Sequence, residues 1–446
     1  MNDNFELMSA RVVDAMQRFN IPGVALGVLA DGEERVAGFG VTNVDHPLAV
    51  DADTLFQIGS TTKTFTATLA MHLVELGKLD LDIPIRAYLP VFRLRDENVA
   101  ARVTLRHLFA HTGGWLGDYF DDLGDGDDAL ARYVAALIDL PQLTPLGETW
   151  SYNNAGFGVA GRVIESVTGK TYETALEEFV LDPLDLKMSF IFPKDVMTYR
   201  FAVGHNEIDG KPVVARPWSV ARTSNCICGI AASVRDQLRY ARFHSGTGAN
   251  LLTRDSIAQM QTPRVPAALG EMMGVSWFIK DVNGTRLVRH GGATNGQLSA
   301  FLFAPARGFA ITILTNGNRG GELHREIMKL ALELYLGIKE AEPALIALSD
   351  AQLAEYAGRY TSALADTELV IENRELVMRV TPKGGFPAKD SPPGPTPPPA
   401  RFAFTGADRI LGLDGQSKDL QAEFLRNQDG TIAWLRFGGR IRARVV

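Results

Sequence analysis

The placement of strand-forming sequence constrains the fold of this chain more than any other feature. Two strand-like runs near the start, IPGVALGVL and ERVAGFGVT, are joined by a turn at Ala30-Asp31-Gly32-Glu33. The next comparable runs are GVSWFIKD, TRLVRHGG, LSAFLFAP and GFAITILTN, broken by Asn-Gly, Pro and Gly signals. Most of what lies between reads as helix: Thr61 to Leu76, then amphipathic segments up to Gly210 such as DDALARYVAALIDL and AGFGVAGRVIESVTG. Residues 3 to 20 and ELHREIMKLALELYLG also carry apolar positions at helical spacing. Strands so far apart in sequence can bury their apolar faces only by joining one sheet. The expected architecture is α+β: a mainly antiparallel sheet, an inserted helical lobe, and a cleft between the two.

Beyond residue 345 the texture changes to short strands with hairpin turns: ELVIENRELVMRV, FAFTG, RILGLDG, and AEFLRNQDGTIAWLRFGGRIRARV with a turn at Asp429-Gly430. The pattern predicts residues 1–340 as one domain and 345–446 as a second, small all-β domain. Within the second, PKGGFPAKDSPPGPTPPPA holds eight of the 22 prolines. Residues 382–399 are therefore read as an extended or polyproline II loop, passive rather than a lid.

With 446 residues, 46% hydrophobic and 22% charged, the chain has ample material for a core. A net charge of −7 without a basic cluster argues against nucleic acid and anionic membrane as partners. No basic segment leads into an apolar one at the start and no run reaches 18 apolar residues, so a cytoplasmic location is expected. The two cysteines, Cys226 and Cys228, provide no disulfide framework and are expected as free thiols. On a strand they would share one face.

In FQIGSTTKTFTATLAMHLVELG, Ser60 and Lys63 stand at a predicted helix start. Each helical residue turns about 100° and rises about 1.5 Å, so the two share a face and the amine can reach the hydroxyl. An amine desolvated enough to be partly neutral can accept or relay the proton of a poor nucleophile. The same tetrapeptide also reads as a helix cap with Lys63 solvated, and partners elsewhere decide between the two. Tyr152, in GETWSYNNAGFG, is the only tyrosine followed two residues later by asparagine, Asn154. A phenol with an ordinary pKa of about 10 serves as a base only where cations lower it, and Lys63 is a candidate cation. Alternatively, Tyr152 is a core residue and asparagine caps the next helix. His290-Gly291-Gly292-Ala293 follows the strand TRLVR. Glycines there let backbone approach a substrate, and a following N–H can face an oxyanion. H-x-G also occurs at His111 and His244, so position distinguishes His290.

Together Ser60-x-x-Lys63, Tyr152-x-Asn154 and His290-x-Gly292 resemble the class C β-lactamase and penicillin-binding-protein-like serine hydrolases. LRHLFAHTGG, GETWSYNNAGFGVAGRVIESVTGK and HGGATNGQLSAFLF with ITILTNGN extend the resemblance over roughly residues 8 to 338. It implies a β-lactamase/transpeptidase-like fold with Ser60 as acylated nucleophile, Lys63 as its activator and Tyr152 as proton shuttle. Asn154 would bind a substrate amide or carbonyl, and the N–H groups of Ser60 and Ala293 would form the oxyanion hole. His290 stands where many relatives carry the lysine of K-T-G. A mostly neutral histidine is a poorer partner than lysine for a substrate carboxylate. The H-x-G variant resembles esterase, amidase and aminopeptidase-like branches. The implied substrates are small peptides or related amides, D-residue peptides among them, with no cofactor. An esterase or acyltransferase, or a non-catalytic penicillin-recognising protein, remains an alternative. One peptidase branch has a similar plan, with a lipocalin-like barrel that restricts access and supports homo-oligomers.

Two further patterns carry less. His107 and His111 have the spacing of a zinc pair but lack a third ligand, so no metal is expected. The acidic run DYFDDLGDGDD has Leu123 and Arg132 where a calcium loop needs ligands, and reads as a solvated loop or an acidic rim that disfavours anionic substrates.

Overall fold

Alternation along the first strand settles how the layers pack. The computed structural model describes residues 2–445. In β1 (Gly23–Ala30), Val24, Leu26 and Val28 pack with one apolar cluster, while Ala25 and Leu29 join another on the opposite face. This strand is buried almost throughout, so helices cover the sheet on both sides. On one face lie α1 (Asn2–Arg18) and the long helix Gly320–Leu336, with Met8, Val12 and Ala15 packed among Leu323, Ile327 and Ala331. The helical lobe covers the other face.

The sheet has eight strands, all antiparallel where paired: β2 (Glu33–Gly40), β1, Phe309–Thr315, Leu298–Ala304, Thr285–Ala293, Phe278–Val282, Met272–Met273 and Val265–Pro266, in that spatial order. The late strands thus complete the sheet begun by the early hairpin, as expected. One boundary differs, because the strand that begins at Thr285 runs through His290 and ends at Ala293. The two glycines are edge-on strand residues rather than a loop after it.

The helix α2 (Thr62–Glu75) runs through the interior between sheet and lobe, buried from Thr62 to Met71. Its threonines are tolerated there because their hydroxyls are bonded: Thr64 to the Thr61 carbonyl, Thr66 to Tyr172 and the Cys226 carbonyl, Thr68 to Tyr240. Phe65 stacks on Tyr240 with ring centroids 3.9 Å apart.

Residues Gly358–Val445 form a closed eight-stranded antiparallel barrel, preceded by the short helix Asp350–Tyr356, which the hairpin pattern did not foretell. Leu353 and Tyr356 of that helix pack with Tyr360, Leu376, Phe402, Phe404 and Phe424 inside the barrel. Eight strands leave room only for side chains, and here those side chains fill it. The proline-rich loop is not passive, in contrast to the expectation. Phe386 meets Phe120 edge-on at 5.0 Å, and Lys389 lies 3.4 Å from Asp121 and over the Tyr119 ring. Proline fixes the loop backbone, while one aromatic and one cation supply its anchor.

Cys226 and Cys228 lie on the short helix Asn225–Cys228 rather than a strand, both buried and both free. Burial holds the two thiols above the ordinary range, so they behave as small apolar groups. Among the described residues no helix is long and apolar enough to cross a membrane, and no cluster of three metal-ligating side chains occurs. His107 is used locally: its Nδ1 accepts from the Thr104 N–H and closes the cap of helix Leu105–Phe109.

Candidate active site

Ser60 sits in a single 3₁₀ turn, Gly59–Thr61, that feeds directly into α2. The turn requires Gly59, whose φ is +52° and whose position leaves no room for a side chain: a Cβ would lie 2.5 Å from the Ala293 nitrogen. The converse holds across the gap, where a Cβ on Gly292 would lie 1.9 Å from the Ile58 carbonyl oxygen and 2.6 Å from the Ser60 nitrogen. Two glycines thus let the serine turn and the end of the strand Thr285–Ala293 touch backbone to backbone. That contact brings the N–H of Ser60, at a helix start where amides lack intrahelical acceptors, beside the N–H of Ala293. The Thr61 hydroxyl meets Ser299 at 3.0 Å, and Ser299 in turn donates to the Ile58 carbonyl at 2.7 Å, fastening the turn to the neighbouring strand.

Lys63 is fully buried and hydrogen-bonded to the Ser60 hydroxyl at 2.9 Å, with a second bond to the Ile227 carbonyl at 3.1 Å. Its Nζ lies over the rings of Tyr152 at 5.0 Å and Phe157 at 5.5 Å. The solvated-cap reading of the tetrapeptide is therefore excluded. Burial pushes the amine down to about 7, so a large fraction is neutral near neutral pH. A base must be deprotonated to act, so kcat/KM should rise with pH through about 7 and level off above it. A pH profile flat from pH 5 to 9 would remove Lys63 as the titrating base.

Tyr152 lies on the approach to the helix Asn154–Thr168, whose N-cap is Asn153, its side chain accepting from the Gly156 N–H. Because Asn153 takes the cap, the Asn154 side chain is not used there, and its amide donates to Asp118 at 2.7 Å. The Tyr152 hydroxyl is buried without a hydrogen bond of good geometry. The expectation that cations lower this phenol is not met. Burial raises it well above the ordinary value, outweighing the smaller downward pulls of Ser60 and Arg440. Tyr152 therefore rests as a neutral phenol.

His290 donates through Nδ1 to the Gly291 carbonyl at 2.6 Å, which leaves Nε2 as a buried acceptor without a partner. Burial, and then Lys63, push it down to about 3, so it is neutral. Ser60, Lys63, Tyr152, His290, Gly292 and Ala293 thus come together. The Asn154 side chain is engaged instead with Asp118.

The barrel contributes a group that the motifs did not reveal. The hairpin between its last two strands, Ile432–Phe437 and Arg440–Val445, turns through Gly438 and Gly439, both with positive φ. The Gly439 carbonyl accepts from the Tyr152 N–H at 2.9 Å. Arg436, nearly buried, donates to the Trp150 carbonyl at 2.9 Å and pairs with Glu423. Arg440 lies with its guanidinium 4.7 Å from the Tyr152 ring centroid and pairs with Asp118 at 3.1 Å. One further N–H reaches the Gly438 carbonyl, so two of its five N–H groups are unengaged. From sequence, Gly438-Gly439 reads as an ordinary hairpin turn. Nothing in it announces a partner three hundred residues away. The acidic loop is solvated at Asp122, Asp125, Asp127 and Asp128, as expected, while its partly buried members are paired: Asp118 faces Arg440 and Asp121 faces Lys389.

Comparison with known proteins places these features in a family context. Residues 8–335 match the family model described as Beta-lactamase. The chain is 32% identical over 336 residues to a penicillin-binding protein 4 of Amycolatopsis lactamdurans, covering 72% of this chain and 88% of that one. Its fold is similar to that of SurE, solved with D-Leu, at a TM-score of 0.75 and 23% identity, with both chains covered in full. It is similar also to the octameric penicillin-binding protein homologue of Pyrococcus abyssi, at a TM-score of 0.64 and 23% identity over 98% of this chain and 99% of that one.

Proposed function

Because this chain belongs to the β-lactamase family of serine hydrolases, we propose that it transfers the acyl group of a small peptide, or of a related amide or ester, to Ser60 and releases it by hydrolysis. The observation that carries the reading is the 2.9 Å bond between Ser60 and an amine that burial keeps partly neutral. Lys63 takes the hydroxyl proton as Oγ attacks the carbonyl. The developing oxyanion accepts from the N–H groups of Ser60 and Ala293. Tyr152, a phenol at rest, hands its proton to the departing amine or alcohol and regains one from Lys63. Water then attacks the acyl-enzyme, giving its proton back through the same pair, and Oγ leaves as the hydroxyl. Asn154, its amide bonded to Asp118, would offer its remaining N–H to the substrate amide or carbonyl.

Substrates with a free carboxylate, D-residue peptides among them, fit the charge of the cleft. His290 is neutral where a lysine would be cationic, and Arg440 supplies a cation with two free N–H groups from the barrel instead. The D-Leu held by SurE, a structure similar over the whole chain, supports a D-residue ligand class. Arg440→Ala is expected to lower kcat/KM about 10- to 100-fold for carboxylate-terminated peptides and little for the corresponding amides. Equal losses on both substrates would remove the carboxylate role. The reading as a whole is tested by intact-mass detection of a covalent adduct after exposure to a β-lactam or a fluorophosphonate, followed by peptide mapping. An adduct on the peptide holding Ser60 is expected, and an unlabelled chain that also hydrolyses no ester or peptide in a panel refutes it.

A further inference from the structure

His111, in LRHLFAHTGG, lies outside the Ser60, Tyr152 and His290 elements, yet the segment bearing Tyr152 is built around it. Its backbone is left-handed, with φ of +55°, and its side chain is 1% exposed. The ring stacks on Tyr152 with centroids 4.3 Å apart and planes 28° from parallel. Its carbonyl accepts from the Ser151 N–H at 3.1 Å, and its Nδ1 accepts from the Asn153 N–H at 2.9 Å. Both amides flanking Tyr152 therefore end on one residue, whose ring also covers the phenol. Phe157 and Trp150 pack on the imidazole at 5.3 and 6.1 Å and hold it in turn.

The hydrogen bond from Asn153 fixes the tautomer. A backbone N–H can only donate, so Nδ1 carries no proton and Nε2 does. Protonation of the ring would break that bond. Burial, with Lys63 and His290 nearby, keeps the ring neutral, so no further positive charge enters beside Lys63. A left-handed, β-unbranched aromatic residue in the core is a costly backbone choice that the surrounding contacts hold in place.

We propose that His111 is a positioning residue for Tyr152, its ring face, carbonyl and Nδ1 together holding the phenol in its place beside the Ser60–Lys63 pair. The inference rests on the acyl-transfer reading above for its kinetic consequence but not for its geometry. Left free, the Tyr152 ring would have to find its place again in each turnover, and a shift of about 1 Å in a catalytic group can cost on the order of 100-fold.

Two variants of the full chain separate the contributions. His111→Asn tolerates the left-handed backbone and keeps a side-chain acceptor but loses the stacked ring. His111→Phe keeps a ring and loses the acceptor. Each is expected to lower kcat about tenfold or more with KM within about twofold. In a Tyr152→Phe background the same changes should cost almost nothing more, because His111 acts through the phenol hydroxyl's placement. Losses that add in full to those of Tyr152→Phe, or variants with wild-type kcat, would overturn the proposal. An activity-independent readout is the ¹⁵N shift pattern of His111 in the wild-type chain, expected to show the Nε2–H tautomer through neutral pH. An Nδ1–H tautomer would also overturn it. A wild-type chain that forms no Ser60 adduct but shows the Nε2–H tautomer refutes the acyl-enzyme reading and leaves the clamp standing.

Discussion

Lys63→Met is expected to lower kcat/KM by about 10⁴-fold or more, nearly as far as Ser60→Ala, with the double variant little worse than either. The expectation follows from burial. Lys63 is enclosed by Tyr152, Phe157 and the Ile227 carbonyl, so its Nζ is the amine held against the Ser60 hydroxyl by the packing itself. Methionine has similar length and no charge, and removing a buried amine relieves a desolvation cost, so the thermal midpoint should hold or rise. Loss of activity with retained stability separates a chemical role from a structural one. Single-turnover labelling of Ser60 followed by intact mass measures the acylation step directly. A Lys63→Met chain within tenfold of wild type would transfer the base to another group, and Tyr152 would be the first candidate.

Tyr152→Phe is expected to slow turnover by about 10²- to 10⁴-fold while the chain folds normally. The hydroxyl makes no hydrogen bond of good geometry in the resting site, so its removal leaves no buried partner stranded. The phenol's raised pKa makes it a donor at rest rather than a phenolate base. The variant should therefore suffer most with poor leaving groups. A peptide amide, whose nitrogen must be protonated as it departs, should lose more than an activated aryl ester, whose leaving group needs no proton. Steady-state kinetics on a matched amide and ester pair checks this. Equal losses on both would place Tyr152 at the attack step, and wild-type rates on both would remove it from the mechanism.

The sheet, the lobe and the barrel were legible because each rests on local pattern. Alternation in GVALGVLA and a run such as FAITILT say how many faces are buried, and hairpin turns recur in the tail. Ser60, Lys63, Tyr152 and His290 were legible because each lies in a short stretch whose spacing carries chemistry. Other features were not, the Arg440 hairpin among them. Asn153 rather than Asn154 caps the following helix, and either could do so by type. The proline-rich loop docks through Phe386 and Lys389, a contact made with another domain. His111 reads equally as one of a zinc pair or as a second H-x-G until its ring is seen against Tyr152.

The sequence alone determined that Lys63 lies within reach of Ser60, since an i to i+3 pair on a helix is a local fact. Tertiary structure decided their ionisation. Whether Lys63 is a solvated cation or a half-neutral base, and whether Tyr152 is lowered by cations or raised by burial, depends on how much water the folded lobe, sheet and barrel exclude together. It decided as well that Arg440, carried in from the last hairpin, stands against Tyr152 and Asp118. Spacing along the chain sets which groups can touch, and only the closed cleft sets the dielectric in which they do.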